Sequence, residues 1–239
     1  MKEKLNHLLR RLESRHSNPI DLSLKRIQEF KEKLNLNPKF KIITVAGTNG
    51  KGSLCFYLNQ ILKKSDLKVG LYTSPHFFDF NERIVINNEK CSEFDIYHSL
   101  RFILDFEKST NLTFFEITTL AAILIFEKYN IDIAILEVGL GGRLDAVNAF
   151  EPDISIITSI GMDHTEFLGD SLDDIAFEKS GVMRTDKPCI IGEEHSIEMI
   201  KRQSTKIKAL LYFFNKDFDS NIIPFDSSHL TYVQQKNLY

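Results

Sequence analysis

A glycine-rich loop constrains the fold of this chain more than any other feature, because of the patterns that stand on either side of it. The loop, residues 47–53, has the sequence GTNGKGS. The β-branched run Phe40–Ala46 before it predicts a buried strand, and the apolar spacing of Leu54–Lys64 after it predicts a helix. A glycine-rich turn between a strand and a helix points backbone N–H groups at an anion. The sequence therefore predicts a phosphate-binding loop.

The loop also carries side chains suited to a nucleotide. Lys51 is predicted to neutralise the β- and γ-phosphates, and the Ser53 hydroxyl to reach a magnesium ion. The spacing is shorter than in the standard phosphate loop, since only Thr48 and Asn49 separate Gly47 from the Gly-Lys pair. A glycine turn with an incidental lysine is therefore the alternative. The predicted nucleotide-binding residues are Thr48, Asn49, Gly50, Lys51, Gly52 and Ser53.

Strand and helix patterns alternate along the rest of the chain. Two runs, Asp132–Val138 and Asp153–Thr158, are strongly apolar, as parallel strands covered by helices on both faces are. The alternation predicts an α/β fold with a P-loop and a doubly wound, mostly parallel sheet flanked by helices. Further strands are predicted at residues 69–73, 188–191 and 210–214, and further helices at residues 94–107, 114–129 and 172–183.

Helical spacing also precedes the sheet. Apolar residues recur in a first helix from Leu5 and in a second helix that starts near Asp21. Beyond Ile200 the pattern weakens, and no complete second domain is evident in the sequence. We expect a helical segment packed on the core at residues 1–38, a P-loop domain at residues 39–215, and a tail or the start of a further domain at residues 216–239.

Composition argues against several classes of protein. The formal net charge of −3 argues against a nucleic-acid surface, which usually shows a basic excess. Three widely spaced cysteines without a CxxC pair indicate neither a disulfide framework nor a zinc site. The N-terminus lacks an apolar signal-peptide core, and the most apolar stretch, Ile117–Phe126, is about half the length that spans a bilayer. We expect a soluble, cytoplasmic monomer that acts on small molecules, without nucleic-acid or membrane partners.

Polar residues follow other predicted strands at the edge where the glycine loop lies. In an open α/β sheet, ligands bind beyond the carboxyl ends of the strands, which places residues 74–76, 137–143 and 159–164 beside the loop. Glu137 ends an apolar strand, where a carboxylate is costly unless it meets a cation, so it is a candidate magnesium ligand. Asp163 and His164 follow another strand in the same way, although a lone histidine is more often structural.

Taken together, these segments resemble the folylpolyglutamate synthase/dihydrofolate synthase family, which is part of the Mur ligase superfamily. The sequence EVGLGGRLDA at residues 137–146 is the most specific match, whereas the loop at residues 47–53 alone would indicate only the superfamily. The resemblance covers nearly all of residues 20–192. The other matching segments are SPH at 74–76, NER at 81–83, TSI at 158–160, DH at 163–164, LG at 168–169 and EK at 178–179.

The resemblance implies that ATP and Mg²⁺ are the cofactors, and that the residues from Thr48 to Lys51 contact the triphosphate. Lys179 matches a lysine that carries a carbamate in this family, which would replace a cation that repels magnesium by a carboxylate; the alternative is a surface partner of a nearby acid. The implied metal-binding residues are Ser53, Ser74, Glu137, His164 and Lys179. The residues with implied catalytic roles are Lys51, His164 and Lys179.

The resemblance also implies a pteroate pocket. An aromatic side chain at Phe114 or Phe115 would stack on a flat pterin or benzoyl ring, or would equally well belong to the core of a helix. The residues that match the segments lining this pocket are Asp21, Leu22, Thr113, Phe114, Phe115, Glu116, Leu144, Asp145 and Ala146.

The activity that the resemblance implies is an ATP-dependent ligase, which joins L-glutamate to the carboxylate of dihydropteroate or a folate through an acyl phosphate. Val147, Ser180 and Arg184 depart mildly from the family's pattern. The family's C-terminal domain is not found in the sequence. The chain is therefore expected to be a fragment, a truncated gene product or an isolated first domain.

Two other functions stay open at this point. One is a cell-wall Mur-type ligase that acts on a nucleotide sugar, and the other is a non-catalytic module that binds ATP or folate. A P-loop kinase or GTPase is less favoured, because no guanine-specificity motif such as NKxD follows the loop at a suitable position.

Overall fold

The chain folds as helices and strands that alternate around one sheet. The computed structural model describes residues 1–15, 21–106, 111–192 and 197–218. The strands are β1 (Lys41–Ala46), β2 (Val69–Tyr72), β3 (Ile84–Ile86), β4 (Glu89–Lys90), β5 (Ile133–Glu137), β6 (Ile154–Ile157), β7 (Pro188–Ile191) and β8 (Leu210–Phe213). The helices are α1 (Lys2–Glu13), α2 (Lys25–Lys33), α3 (Lys51–Lys63), α4 (Glu93–Phe106), α5 (Phe114–Tyr129), α6 (Thr165–Leu168), α7 (Leu172–Ser180) and α8 (Ile197–Ile207).

Across the described ranges the strands form an 8-stranded sheet in the order β4-β3-β2-β5-β1-β6-β7-β8. β1 lies between β5 and β6, and the neighbouring strands from β2 to β8 along that order run parallel. β3 and β4 pair antiparallel at one edge, and they were not predicted because strands this short show no alternating pattern. The prediction of an α/β fold with a mostly parallel sheet flanked by helices is confirmed.

Apolar residues of the central strand are buried on both faces of the sheet. Ile43 and Val45 of β1 belong to a core cluster that is packed by leucines of α3. Ile42 and Ala46, one residue out of step, belong to the larger cluster on the other face, with the residues of α5. Each buried aliphatic side chain stabilises the fold by about 1.5–3 kcal/mol. Because both faces are covered, the carboxyl ends of the strands are the open side of this sheet.

Two predicted helix starts are wrong, and each has a local cause. α2 starts at Lys25, so Asp21 and Leu22 precede it, because the Arg26 guanidinium donates to both the carboxylate and the carbonyl of Asp21. α3 starts at Lys51 instead of Leu54, because the left-handed Gly50 caps it at that point. α8 was not predicted, although it buries Ile200 against the core.

None of the helices among the described residues is long and apolar enough to cross a membrane. The predicted edge strand at residues 210–214 corresponds to β8. Most of the predicted tail, residues 219–239, lies outside the described residues, so the division of the chain into three parts stays a prediction.

Candidate active site

The glycine loop joins β1 to α3 at the carboxyl end of the sheet. Gly47 has φ +146° and Gly50 has φ +83°, both in the region that favours glycine. A Cβ atom on Gly47 would lie 1.9 Å from the Thr158 hydroxyl oxygen, so no larger residue fits there. Gly50 caps α3, and the first N–H groups of that helix therefore point into the loop, where an anion is bound most favourably.

Short polar contacts fix the loop against the segment that follows β6. The Thr48 hydroxyl accepts from the N–H of Gly161 at 2.9 Å and donates to its carbonyl at 3.1 Å. The N–H of Asn49 donates to the Ser159 hydroxyl at 2.9 Å, and the Thr158 hydroxyl donates to the Asn49 carbonyl at 2.7 Å. The conformation of the loop is thus set by a neighbouring strand as well as by its own glycines.

The ammonium group of Lys51 lies inside the loop. Its Nζ donates to the carbonyl of Gly47 at 2.8 Å and to that of Thr48 at 3.2 Å. The positive charge therefore stands beside the converging N–H groups, as neutralisation of a triphosphate requires. Ser53, the last residue of the glycine-rich segment, lies exposed in the first turn of α3.

Glu137, at the end of β5, faces the loop from the neighbouring strand. Its Oε2 accepts from the N–H of Ser74 at 3.1 Å, and a Cβ atom on Gly52 would lie 3.6 Å from its Oε1. Burial raises the pKa of Glu137, and the charges of Lys51 and Arg83 oppose that rise only in part. Mg²⁺ prefers oxygen ligands, so a buried carboxylate without an ion-pair partner among the described residues fits a metal-binding role.

Lys179, in α7, is buried, with only 2% of its surface exposed. Burial lowers the pKa of its ammonium group to about 8, the nearby charge of Lys51 acts in the same direction, and Asp163 opposes it. The structure gives the side chain no hydrogen bond or ion pair within the described segments. The alternative, a surface partner of a nearby acid, is therefore wrong.

The EVGLGGRLDA segment is fastened to α7 beside Lys179. Arg143 donates from Nη2 to the Glu178 carboxylate at 2.7 Å, and its N–H donates to the Glu178 carbonyl at 2.8 Å. The amide nitrogen of Asn148 bridges the carbonyls of Arg143 and Gly181, at 3.0 Å each. These residues touch no predicted ligand, and they position the helix that carries Lys179.

His164 caps the short helix α6 in a left-handed conformation, with its Nε2 3.6 Å from an oxygen of Asp163. Nearly half of its side chain is exposed, which is compatible with a ligand-binding residue. In the part of the chain that is described, no group of three or more His, Cys, Asp or Glu side chains is arranged to hold a metal ion. A metal at Glu137 and His164 would therefore need oxygens of the nucleotide and water to complete its coordination.

A cavity of about 280 Å³ opens beside these residues. Ser74 and His164 of the predicted metal set line it, together with all the predicted substrate-binding residues except Phe114. The lining residues that were predicted from the sequence are Asp21, Leu22, Ser74, Thr113, Phe115, Glu116, Leu144, Asp145, Ala146 and His164.

The placement of Phe114 in the pocket is wrong. Consecutive residues of a helix point about 100° apart, so only one of two adjacent phenylalanines faces a given side. Phe115 lines the cavity and stacks on Tyr72, with ring centroids 5.9 Å apart. Phe114 packs against Phe80 instead, with ring centroids 6.1 Å apart.

Ionic contacts of Arg26 assemble the outer wall of the cavity. Arg26 donates from Nη1 to Asp21 at 2.8 Å and from Nε to Oε2 of Glu116 at 3.3 Å, which joins the segment before α2 to the start of α5. The N–H of Thr113 also donates to Oε2 of Glu116, at 2.6 Å. The other oxygen of Glu116, Oε1, is buried and has no hydrogen-bond partner among the described residues.

Asp145 shapes the floor of the cavity. Its carboxylate accepts from the N–H of Leu140 at 2.8 Å and from the N–H of Val147 at 3.0 Å, and it caps a short 3₁₀ turn over Ala146–Ala149. Burial nevertheless raises the pKa of Asp145 to about 7. Asp145 therefore holds the loop after β5 in place as well as lining the cavity.

Sequence reasoning missed two charged residues of the site, Arg26 and Arg83. Arg26 could not be identified as a site residue from the sequence, because its partner Glu116 is 90 residues away in the chain. Arg83 lines the cavity, and the only signal for it in the sequence was its place in the NER segment after β2.

Comparison with known proteins agrees with this geometry. The profile of the Mur ligase middle domain matches residues 45–236. The dihydrofolate synthase/folylpolyglutamate synthase of Haemophilus influenzae is 46% identical over 198 residues, which are 82% of this chain and 45% of that protein. The chain spans about half the length of the curated relatives it matches.

Solved structures show the same fold. The structure of E. coli FolC in complex with DHPP and ADP has a TM-score of 0.87 at 39% identity, and the match covers 90% of this chain and 52% of that one. A bifunctional folylpolyglutamate synthase/dihydrofolate synthase with Mn, AMPPNP and L-glutamate bound has a TM-score of 0.84 at 41% identity, with 90% and 52% covered. The resemblance predicted from the sequence is confirmed, and the chain belongs to the Mur ligase middle-domain family.

Proposed function

We propose that this chain is the ATP-binding part of a ligase that joins L-glutamate to the carboxylate of dihydropteroate or a folate. The observation that carries the proposal is the single cavity in which Ser74 and His164, beside the phosphate loop, meet the residues predicted to bind a pteroate. The printed names of the relatives, dihydrofolate synthase/folylpolyglutamate synthase, support the same reaction.

The proposed reaction has two steps. An oxygen of the pteroate carboxylate attacks the γ-phosphorus of ATP, and ADP leaves, which yields an acyl phosphate. The amine of glutamate then attacks the acyl carbon, phosphate leaves, and an amide forms. Positioning and charge stabilisation drive such phosphoryl transfer, so the protein needs no side-chain nucleophile.

The residues of the chain bind and orient the reactants in this scheme. The loop N–H groups and Lys51 hold the β- and γ-phosphates, while Phe115 offers a face on which a flat ring stacks. Glu137, Ser74 and His164 would hold Mg²⁺, and Ser53 is close enough in the chain to assist. When bound, the ion supplies further positive charge to the migrating phosphoryl group.

Lys179 is proposed to carry a carbamate. Its amine lies close to Lys51, and burial lowers its pKa to about 8, so a neutral amine that reacts with CO₂ is accessible near neutral pH. The ammonium group first loses one proton, and the reaction of the neutral amine with CO₂ releases a second, so the cation becomes a carboxylate. In ¹³C-bicarbonate, a carbamate carbon signal that disappears in Lys179→Met supports this role, whereas a spectrum without such a signal in the unchanged protein rejects it.

We further propose that the protein acts as a cytoplasmic monomer on small molecules, an interpretation supported by composition alone.

A non-catalytic ATP- or folate-binding module is the second candidate function, because the chain spans only about half of its relatives. A cell-wall Mur-type ligase is disfavoured, because the relatives named above carry the names of folate enzymes.

The reaction is tested by measuring ADP release by the 239-residue chain with ATP, magnesium, glutamate and dihydropteroate, each omitted in turn. Release that needs every component supports the ligase. Binding of ATP and dihydropteroate without ADP release favours the non-catalytic module, and binding of a UDP-sugar without dihydropteroate favours the cell-wall ligase.

A pair of lysine variants tests the phosphate loop. Lys51→Ala should weaken AMPPNP binding at least tenfold, because it removes the charge that lies among the loop carbonyls. Lys63→Ala, at the exposed end of the same helix, is the matched control and should bind AMPPNP normally. Calorimetric titration measures both, and equal affinity of the two variants contradicts the assignment of the loop.

A further inference from the structure

We propose that Arg83, held in position by His76, binds the carboxylate of the pteroate substrate, which is the group that the ligase reaction activates. This inference rests on the proposed function and adds to it a residue that selects the ligand by its charge. Arg83 is the only lysine or arginine that lines the cavity among the described residues.

The backbone anchors Arg83 beside the phosphate-binding side of the cavity. Arg83 ends a short 3₁₀ turn and directly precedes β3. Its carbonyl accepts from the N–H of Thr73 at 2.9 Å, so it lies level with Ser74 at the end of β2. Ser74 donates in turn to Glu137, the carboxylate that faces the loop. Arg83 is therefore close to the place where a γ-phosphate would meet its acceptor.

Three neighbours fix the orientation of the guanidinium. Its Nε donates to Nδ1 of His76 at 2.9 Å. Its carbon lies 5.4 Å from the ring centroid of Phe80 and 5.6 Å from that of Phe114, which are distances of cation–π contact. The side chain is thus held on its Nε edge and on its faces, and a pre-oriented group loses little entropy when it binds a ligand.

The outer edge of the guanidinium has no protein acceptor. The group has five N–H donors, and the described residues provide an acceptor only for the one on Nε. The three carboxylates that line the cavity have other donors, since Asp21 and Glu116 accept from Arg26 and Asp145 accepts from backbone N–H groups. The terminal nitrogens of Arg83 are therefore free to bind an anion from solution.

A carboxylate is the anion that suits this position. A guanidinium binds a carboxylate through two parallel hydrogen bonds, which fix its plane as well as its distance. The cavity is also lined by the acidic residues Asp21, Glu116 and Asp145, which would repel an anion that lacked a cationic partner. Phe115, Leu140 and Leu144 offer an apolar surface to the rings of the same ligand.

His76 acts as a positioning residue. To accept from Arg83, its Nδ1 must carry a lone pair, which requires a neutral imidazole. The ring also packs edge-on against Phe80, with centroids 5.8 Å apart, which fixes its plane. Loss of the acceptor would leave Arg83 free to rotate away from the cavity, without removing any contact to the apolar part of the ligand.

The test compares two ligands on the 239-residue chain without ATP: dihydropteroate, and an analogue in which hydrogen replaces its carboxylate. Titration calorimetry should show that the unchanged protein prefers dihydropteroate by at least tenfold. Arg83→Gln should bind dihydropteroate about tenfold to a hundredfold more weakly and bind the analogue normally. Arg83→Lys should fall between the two, because it keeps the charge and loses the paired geometry.

Three further variants supply a control and a test of His76. Arg101→Gln removes an exposed arginine of α4 that pairs with Asp105, and it should change neither affinity. His76→Leu should reduce the preference for dihydropteroate, and His76→Gln should restore much of it, because an amide oxygen can accept from Arg83. If His76→Leu keeps the full preference, the positioning role is overturned.

Other outcomes separate this inference from the proposed function. If the unchanged protein binds neither ligand, both fail. If it binds both ligands equally, or if Arg83→Gln weakens both equally, the cavity still takes the pteroate and only the role of Arg83 is overturned. A selective loss of AMPPNP affinity in Arg83→Gln assigns the residue to phosphate and equally overturns the proposal.

Discussion

The two ends of the sheet differ in whether charged side chains that are shielded from solvent have ion-pair partners. At the amino end, Asp153 lies just before β6 and pairs with Lys41 at 3.0 Å and with Lys187 at 3.4 Å. Burial opposes ionisation of Asp153, but these partners outweigh it, so the pKa of its carboxyl lies below its ordinary value. At the carboxyl end, Glu137 and Lys179 have no such partner among the described residues, and their pKa values move toward neutrality.

The difference shows what the carboxyl end is built for. A charge buried without a partner destabilises a fold, and such charges cluster where a ligand or a metal supplies the missing partner. Glu127, near the amino end, is the exception, because burial raises the pKa of its carboxyl as well. Replacing charges at the two ends therefore distinguishes residues kept for stability from residues kept for binding.

The largest effect is expected at the Arg26–Glu116 pair of the cavity wall. Arg26→Met removes the cation that faces Glu116, whose side chain is 4% exposed, and leaves a buried carboxylate. The free energy of unfolding should fall by about 3 kcal/mol. Urea unfolding measures the loss.

The control for this prediction is Arg101→Met, since the Arg101–Asp105 pair is exposed. It should change the free energy of unfolding by less than about 0.5 kcal/mol. Equal losses in the two variants would mean that the wall does not depend on its buried pair. Dihydropteroate affinity should fall with Arg26→Met alone.

Replacing Lys179 is expected to stabilise the fold. The pKa of its ammonium group falls from 10.5 to about 8 on folding, so below pH 8 the folded protein bears the cost of a buried cation. Lys179→Met should raise the free energy of unfolding by about 2–3 kcal/mol at pH 7 in CO₂-free buffer.

The pH dependence gives an independent check on Lys179. The unfolded chain holds this proton up to about pH 10.5 and the folded chain only up to about pH 8, so stability should rise with pH between these values. Unfolding titrations at several pH values measure the rise. Lys179→Met should lack it, and a variant that keeps the same slope would show that Lys179 is not the titrating group.

A smaller gain in the free energy of unfolding is expected when Glu137 is replaced. Its pKa is raised by burial, so stability should decrease as pH rises from 4.5 through the higher folded pKa, and Glu137→Gln should remove that decrease. The amide oxygen of the glutamine can still accept from the N–H of Ser74. The free energy of unfolding at pH 7 should therefore rise by about 1 kcal/mol. Calorimetry should also show that AMPPNP binding no longer strengthens with Mg²⁺.

Glu127→Gln is the matched control, because it also removes a carboxyl whose pKa is raised by partial burial but lies far along the chain from the loop. It should leave the magnesium dependence of AMPPNP binding unchanged. If both variants lose that dependence, the loss at Glu137 does not report a metal ligand.

The sequence predicts the carboxyl end of the sheet best where the signal is local. The glycine loop and the strand that ends in Glu137 stand out because short apolar runs and glycines define them without reference to distant residues. The position of Lys179 beside Lys51 followed only from the resemblance. Its burial could not be predicted, because it depends on how α7 packs against the sheet.

Residues that act through distant partners could not be predicted. The pairing of Arg26 with Glu116 crosses 90 residues and leaves no pattern in the sequence. The choice between Phe114 and Phe115 depends on the phase of α5, which is fixed by packing rather than by composition. The orientation of Arg83 depends in the same way on His76, seven residues earlier.

The smallest effect is expected at the amino end of the sheet. Asp153→Asn removes ion pairs whose lysine side chains are 70% and 46% exposed, so the free energy of unfolding should fall by less than about 1 kcal/mol at pH 7. The folded pKa of Asp153 lies below 3.8, so its contribution is present above that pH and is lost as pH falls through the folded value. Acid unfolding curves of the two proteins should therefore converge below pH 3.8, and AMPPNP affinity should be equal. A loss as large as that of Arg26→Met would contradict the contrast between the two ends, since it would show that an exposed pair stabilises the fold as much as a buried one.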